Sequence, residues 1–145
     1  MENRELEILL VEDNVNDAEL TIRALKKNNI TNKVVHLKDG AEALEFIFAT
    51  GPYEGRDINH KPRVILLDLK MPRVSGVEFL SKIKENNVTK KIPVVILTSS
   101  KEDPDIRICY ELGANSYIVK PVEFGDFQKV VTDLGLYWLL LNQTE

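Results

Sequence analysis

Four short apolar runs, separated by stretches of helical periodicity, constrain this chain more than any other feature. They are Leu6–Val11, Val64–Leu67, Val94–Leu97 and Tyr117–Val119. The first three read Leu-Glu-Ile-Leu-Leu-Val, Val-Ile-Leu-Leu and Val-Val-Ile-Leu. A strand with one wet face alternates apolar and polar residues. Runs this short with almost no alternation predict strands covered on both faces. Lys33–Leu37 is a weaker fifth run, suited to a sheet edge.

Between the runs lie helix start signals. Asn16 precedes Glu19 by three residues, Asp39 precedes Glu42, and Ser75 precedes Glu78, each a capping-box spacing. Asp103-Pro104 sets a cap residue before a proline at a first helical position. The last helix is expected to begin near Glu123, with Phe127, Val130, Val131, Leu134, Tyr137, Trp138 and Leu141 at helical spacing. Strand and helix therefore alternate five times. Strands joined through a helix are parallel, and such crossovers are right-handed. The expected fold is α/β: a doubly wound, five-stranded parallel sheet, with 2-1-3-4-5 the favoured order. Thr50–Arg63, rich in Gly, Pro, Asn and charge, reads as a surface loop.

A length of 145 residues suits one domain. We expect a single unit over 1–145, with a core of about 5–134 and a C-terminal helix extension over 135–145. With 43% hydrophobic and 29% charged residues the chain is not of the disordered class. The net charge of −4 is well mixed and offers no footprint for nucleic acid. No segment approaches the roughly 20 apolar residues of a membrane span, and charges interrupt the N-terminus where a signal peptide would be apolar. The single cysteine, Cys109, cannot pair within the chain, which suits a reducing cytoplasm.

In open parallel sheets, ligands bind beyond the carboxyl ends of the strands. The residues that follow the apolar runs are Glu12 and Asp13, then Asp68, then Thr98, then Lys120 and Pro121. Each has a plainer reading when taken alone. Asp13 can cap the next helix, Asp68 can form a turn, and Lys120 can be a solvated lysine. Together they set three acids, a hydroxyl and an amine at one sheet edge. Two carboxylates a few ångströms apart repel by roughly 3–4 kcal/mol at an effective dielectric near 20. They call for a cation. Oxygen donors without His or Cys favour Mg²⁺ over Zn²⁺.

Val-Glu12-Asp13-Asn, Leu-Leu-Asp68-Leu-Lys-Met-Pro72-x-x-x-Gly76, Thr98-Ser-Ser and Tyr117-Ile-Val-Lys120-Pro121 together resemble, in order and spacing, the receiver domain of two-component response regulators. The resemblance spans about Glu5 to Leu134. It implies the flavodoxin-like (βα)5 fold and a mechanism. Asp68 would accept a phosphoryl group from a histidine kinase. Asp13, Asp68 and the backbone carbonyl of Lys70 would ligate Mg²⁺, with Glu12 acting directly or through water. Lys120 would pair with a phosphoryl oxygen, Thr98 would donate its hydroxyl to another, and Tyr117 would be the switch aromatic. Lys120-Pro121 would be cis. The chain would signal through protein contacts with an unknown downstream partner.

Lys70 departs from the commonest family pattern, and its side chain is expected to lean over the site and pair with Glu12. With the Thr50–Arg63 insertion, Pro93 and the C-terminal Tyr-Trp, it makes the chain similar to stand-alone regulators that serve phytochrome-type histidine kinases. Three other readings compete. A haloacid-dehalogenase-like phosphatase would need an acid where Lys70 stands. A scaffolding pseudo-receiver would not need the full residue set. A transcription factor would need a DNA-binding domain, and only about ten residues follow the last helix. His36 and His60 are not expected to donate phosphate, and Cys109 and Met71 are expected to fill space.

Beyond Gly135, Leu136, Leu139 and Leu140 are apolar as well, and on a continued helix residues 136 and 140 would point roughly opposite to the Leu134–Trp138–Leu141 stripe. A helix apolar all round needs a cover. The expectation is a twofold homodimer, or a partner dock, centred on Leu136, Leu140 and Tyr137. The alternative is a helix that ends at Gly135 with a tail that folds back.

Overall fold

The computed structural model describes residues 6–27, 33–71 and 73–136. Its elements, in chain order, are β1 (Leu6–Val11), α1 (Val15–Lys26), β2 (Lys33–Leu37), α2 (Gly40–Phe48), β3 (Val64–Asp68), α3 (Gly76–Glu85), β4 (Val94–Thr98), α4 (Asp105–Leu112), β5 (Ser116–Val119) and α5 (Phe124–Asp133). The strands form one parallel sheet in the order β2-β1-β3-β4-β5. This is the flavodoxin-like, doubly wound fold expected from the pattern.

Ile8–Val11 of β1 and the runs of β3 and β4 are buried on both faces because successive side chains point to opposite sides of a strand, whereas β5, at the sheet edge, buries Ile118 and leaves Val119 exposed. Leu9, Val11, Ile65, Leu67 and Ile96 face a layer built from α2, α3 and α4, where Phe46, Phe79, Leu80, Ile83 and Cys109 meet them. Ile8, Leu10, Leu66, Val95 and Leu97 face Ala18 and Leu25 of α1 and Phe127, Val130 and Val131 of α5. Complete burial of one such side chain stabilises the fold by about 1.5–3 kcal/mol. Met71 packs at the margin of the first layer, as a space filler should.

The helix starts follow the expected chemistry, with one shift. Ser75 and Glu78 form a full capping box, and Asp39 accepts from the Glu42 N–H at 2.7 Å. For α1 the cap is Asn14, not Asn16: its Oδ1 accepts from the Asp17 N–H at 2.9 Å. The turn after β1 is that short because Asn14, still extended at φ −82 and ψ 113, follows the site acids directly. Asp103 caps α4 from two residues upstream, its Oδ1 accepting from the Asp105 N–H at 2.9 Å. Gly76 is required where it stands. A Cβ there would lie 2.6 Å from the Asp68 carbonyl oxygen and 2.7 Å from Leu69 Cα. Its N–H instead donates to the Leu69 carbonyl at 3.0 Å, so α3 starts tight against the end of β3.

Two further regions add detail to expectation: Thr50–Arg63 is the expected surface loop, and the last helix ends early. The Thr50–Arg63 segment is pinned to α2. It opens with a 3-10 turn over Gly51–Tyr53, Tyr53 donates to Glu42 at 2.8 Å, and the Arg56 guanidinium stacks 3.9 Å over the Phe46 ring while donating to the Phe46 carbonyl. The last helix ends at Asp133, and Gly135 takes the left-handed conformation at φ 77. The Leu136 N–H then turns back to the Val131 carbonyl at 2.7 Å, and its side chain packs against the second core layer. Leu136 therefore faces the core and cannot centre an outer dimer patch. Tyr137, Trp138, Leu139, Leu140 and Leu141 lie outside the described residues, as does Pro72. Among the described residues no helix is long and apolar enough to cross a membrane.

Candidate functional site

Strand register assembles the site. Val11 pairs with Leu67, so Glu12 and Asp68 emerge side by side where the strand order reverses between β1 and β3. Asp68 pairs with Leu97, bringing Thr98 to the next step, and Thr98 pairs with Val119, bringing up Lys120. A cleft of about 400 Å³ opens there, lined by Glu12, Asp13, Asp17, Asp68, Lys70, Thr98, Asp103 and Lys120 among others. The five polar residues expected from the strand ends, Glu12, Asp13, Asp68, Thr98 and Lys120, line this one cleft.

Carboxylate oxygens of Glu12, Asp13 and Asp68 lie within 4.8 Å of one another. Glu12 is fully buried, Asp68 nearly so, and Asp13 exposed. The Lys120 ammonium sits among them, 3.1 Å from Asp68 Oδ1 and 3.3 Å from Glu12 Oε1. The cis Lys120-Pro121 peptide follows. One cation does not offset the acids. Burial, reinforced by the Asp68 charge, pushes the Glu12 carboxyl up from about 4.5 to about 7, although Lys120 and the Asn14 N–H pull it down. Burial likewise raises Asp68 against the opposing pull of Lys120. Burial works against the Lys120 charge too, but Asp17, Asp68 and Glu12 together hold its pKa well above the ordinary lysine range. The residues present fit a hard divalent cation: an oxygen-only donor set, partly buried, with excess negative charge.

Thr98 is buried, and its hydroxyl donates to the Ser100 carbonyl at 3.1 Å and accepts from the Ser100 N–H at 3.3 Å. Tyr117 is half-buried, with its ring edge-on to Tyr110 of α4 at 6.5 Å between centroids. His36, the edge-strand histidine, has Nε2 2.7 Å from the Glu12 carbonyl oxygen and so braces the strand end that carries the acids.

Three features were missed or misplaced by sequence reasoning. Lys70 does not pair with Glu12. It reaches out over the cleft to Asp103, 3.7 Å away, because Lys120 already occupies the Glu12 carboxylate. Asp103, read from sequence only as a cap, lines the cleft with a side chain just 10% exposed, and its Oδ2 stands 3.5 Å from the Thr98 hydroxyl. Asp17, in the first turn of α1, lies 3.0 Å from Lys120 Nζ. Its place in the first turn of α1, directly after the strand end that carries Glu12 and Asp13, is the signal that places it over the same edge.

Comparison with known proteins agrees with this geometry. Residues 8–132 match the response regulator receiver domain model. The "Probable methanogenesis regulatory protein FilR2" of Methanothrix harundinacea is 41% identical, the alignment covering 94% of this chain and 86% of that protein. The response regulator Rcp1 of a Synechocystis species is 39% identical over 91% of this chain and 88% of its own length, and it has been crystallised in a Mn²⁺-bound form. The bacteriophytochrome response regulator AtBRR superposes with a TM-score of 0.85 at 48% identity, covering 94% of this chain and 96% of that structure. The chain belongs to the response regulator receiver family, and is a signalling phosphoacceptor and not an enzyme in the ordinary sense.

Proposed function

We propose that Asp68 accepts the phosphoryl group of a phosphohistidine on a histidine kinase, in a Mg²⁺-dependent transfer. The observation that carries this reading is the convergence at Asp68: a buried carboxylate with Lys120 Nζ at 3.1 Å, at the meeting point of three acids. An Asp68 oxygen attacks phosphorus, the phosphorus–nitrogen bond breaks, and the imidazole keeps the electron pair. Asp13, Asp68 and the Lys70 carbonyl would hold the metal ion, with Glu12 directly or through water. When bound, the ion supplies neutralisation of charge on the transferring group. Lys120 pairs with a phosphoryl oxygen as a point charge. Thr98 leaves Ser100 to donate to a second oxygen, and Tyr117 follows it. Phosphorylation shifts the population only as far as these contacts differ between the two states.

The likeness to AtBRR and Rcp1 supports a phytochrome-type kinase as donor. The setting is the cytoplasm, where a lone thiol such as Cys109 stays reduced. The downstream partner is met by protein contact. Pairing of two copies through the segment beyond Gly135 is retained with Leu140 and Tyr137, and without Leu136. Sedimentation of Leu140→Glu against wild type tests it, and a wild type monomeric at high concentration with and without phosphodonor removes it. The test of the main reading is transfer from labelled, phosphorylated histidine kinases of the same genome. Label moves to this chain with Mg²⁺ and not in chelator, and fastest from a phytochrome-type kinase. Equal transfer in chelator overturns the metal requirement, and preference for an unrelated kinase overturns the phytochrome link.

A further inference from the structure

An ammonium group has three N–H donors, and Lys120 has all of them engaged. Its Nζ lies 3.3 Å from Glu12, 3.1 Å from Asp68 and 3.0 Å from Asp17. Glu12 and Asp68 belong to the acidic triad and their side chains are 0% and 6% exposed. Asp17 is outside that triad, and its side chain is 37% exposed. With every donor used, Lys120 can reach a phosphoryl oxygen only if one partner yields. Glu12 and Asp68 are enclosed at the strand ends and have no solvent to turn to, whereas the partly exposed Asp17 can turn its carboxylate to water. The Asp17 N–H is anchored on Asn14 Oδ1 at 2.9 Å, so the exchange needs a side-chain rotation and no movement of the helix.

We propose that Asp17 is a positioning residue that restrains Lys120 in the unphosphorylated protein. A phosphoryl group on Asp68 takes its place on the ammonium. The inference rests on the reading of Asp68 as acceptor. Asp17 then opposes the phosphorylated state in two ways. Its pair with Lys120 is lost whenever the phosphoryl group gains one, and its charge faces an anion across the cleft. Removing that charge while keeping the shape favours the occupied state.

The test uses beryllium trifluoride, a tetrahedral phosphoryl mimic, titrated into the full chain at saturating Mg²⁺. Wild type, Asp17→Asn, Asp17→Glu and Asp68→Asn are compared, with the Lys120 ammonium followed by nitrogen NMR. Asp17→Asn is expected to bind the mimic about two- to fivefold more tightly, the worth of one partly exposed ion pair, and to shift the free-state Lys120 resonance. Asp17→Glu should return both towards wild type. Unchanged or weaker binding by Asp17→Asn, with wild type binding and Asp68→Asn not binding, overturns the inference alone. Binding by Asp68→Asn as strong as wild type overturns the acceptor reading instead.

Discussion

Glu12 is a carboxyl with no exposed surface, held beside Asp68, and its pKa stands at about 7 against an ordinary 4.5. The folded state therefore holds this proton more tightly than the unfolded chain does. Stability contributed by the protonated form is fully present below pH 4.5 and is lost as pH rises to about 7. The displacement corresponds to about 3 kcal/mol. Glu12→Gln keeps the shape and cannot ionise, so the metal-free variant should gain on wild type by about 2–3 kcal/mol between pH 5 and pH 8. In a domain of this size that is a relative rise of roughly 4–12 °C in melting temperature. The comparison is a difference of differences, which cancels the groups common to both proteins that do not interact with Glu12. Urea unfolding in chelator at pH 5, 6, 7 and 8 measures it. Saturating Mg²⁺ should remove most of the gain at pH 8, because bound cation compensates the wild-type carboxylate. Parallel stability profiles for the two proteins across this range would refute the burial argument for Glu12.

Three further outcomes follow from packing. Gly76→Ala sets a Cβ against the Asp68 carbonyl and Leu69 Cα; about 1–3 kcal/mol of stability should be lost, with slower labelling by a small phosphodonor, and unchanged labelling would show that the turn can shift freely. Phe79→Ala empties a fully buried ring site between α3 and the sheet and should cost about 3–5 kcal/mol by urea titration. Arg56→Ala removes the guanidinium stacked on Phe46 and should cost about 0.5–2 kcal/mol. It should also speed proteolytic nicking within 54–63 and leave labelling at Asp68 intact.

Much of the fold was legible because both signals it needs are local. Near-continuous apolar runs at β1, β3 and β4 say that both faces are covered, and caps such as Ser75 say where helices begin. The site was legible through topology. A parallel sheet gathers its strand ends, so residues far apart in sequence such as Glu12, Asp68, Thr98 and Lys120 could be placed together before any contact was known. Side-chain partnerships were not legible. Lys70 pairs with Asp103 and not Glu12, and Asp17 joins Lys120, because these choices depend on which charge is already occupied and on rotamers. The end of α5 was ambiguous for a related reason. Leu136 carries the same apolar character on a helix or in a turn, and the backbone at Gly135 decides which way it faces.

The acceptor itself is tested most directly by locating the phosphoryl group. The chain is treated with a small phosphodonor and Mg²⁺, the acyl phosphate is trapped by borohydride reduction, and peptides are mapped by mass spectrometry. The reduced residue should be Asp68 and should vanish in chelator. Asp68→Asn should remain folded and unmodified. Modification at Asp13 or Asp17, or an Asp68→Asn variant labelled at the wild-type rate, would contradict Asp68 as the acceptor.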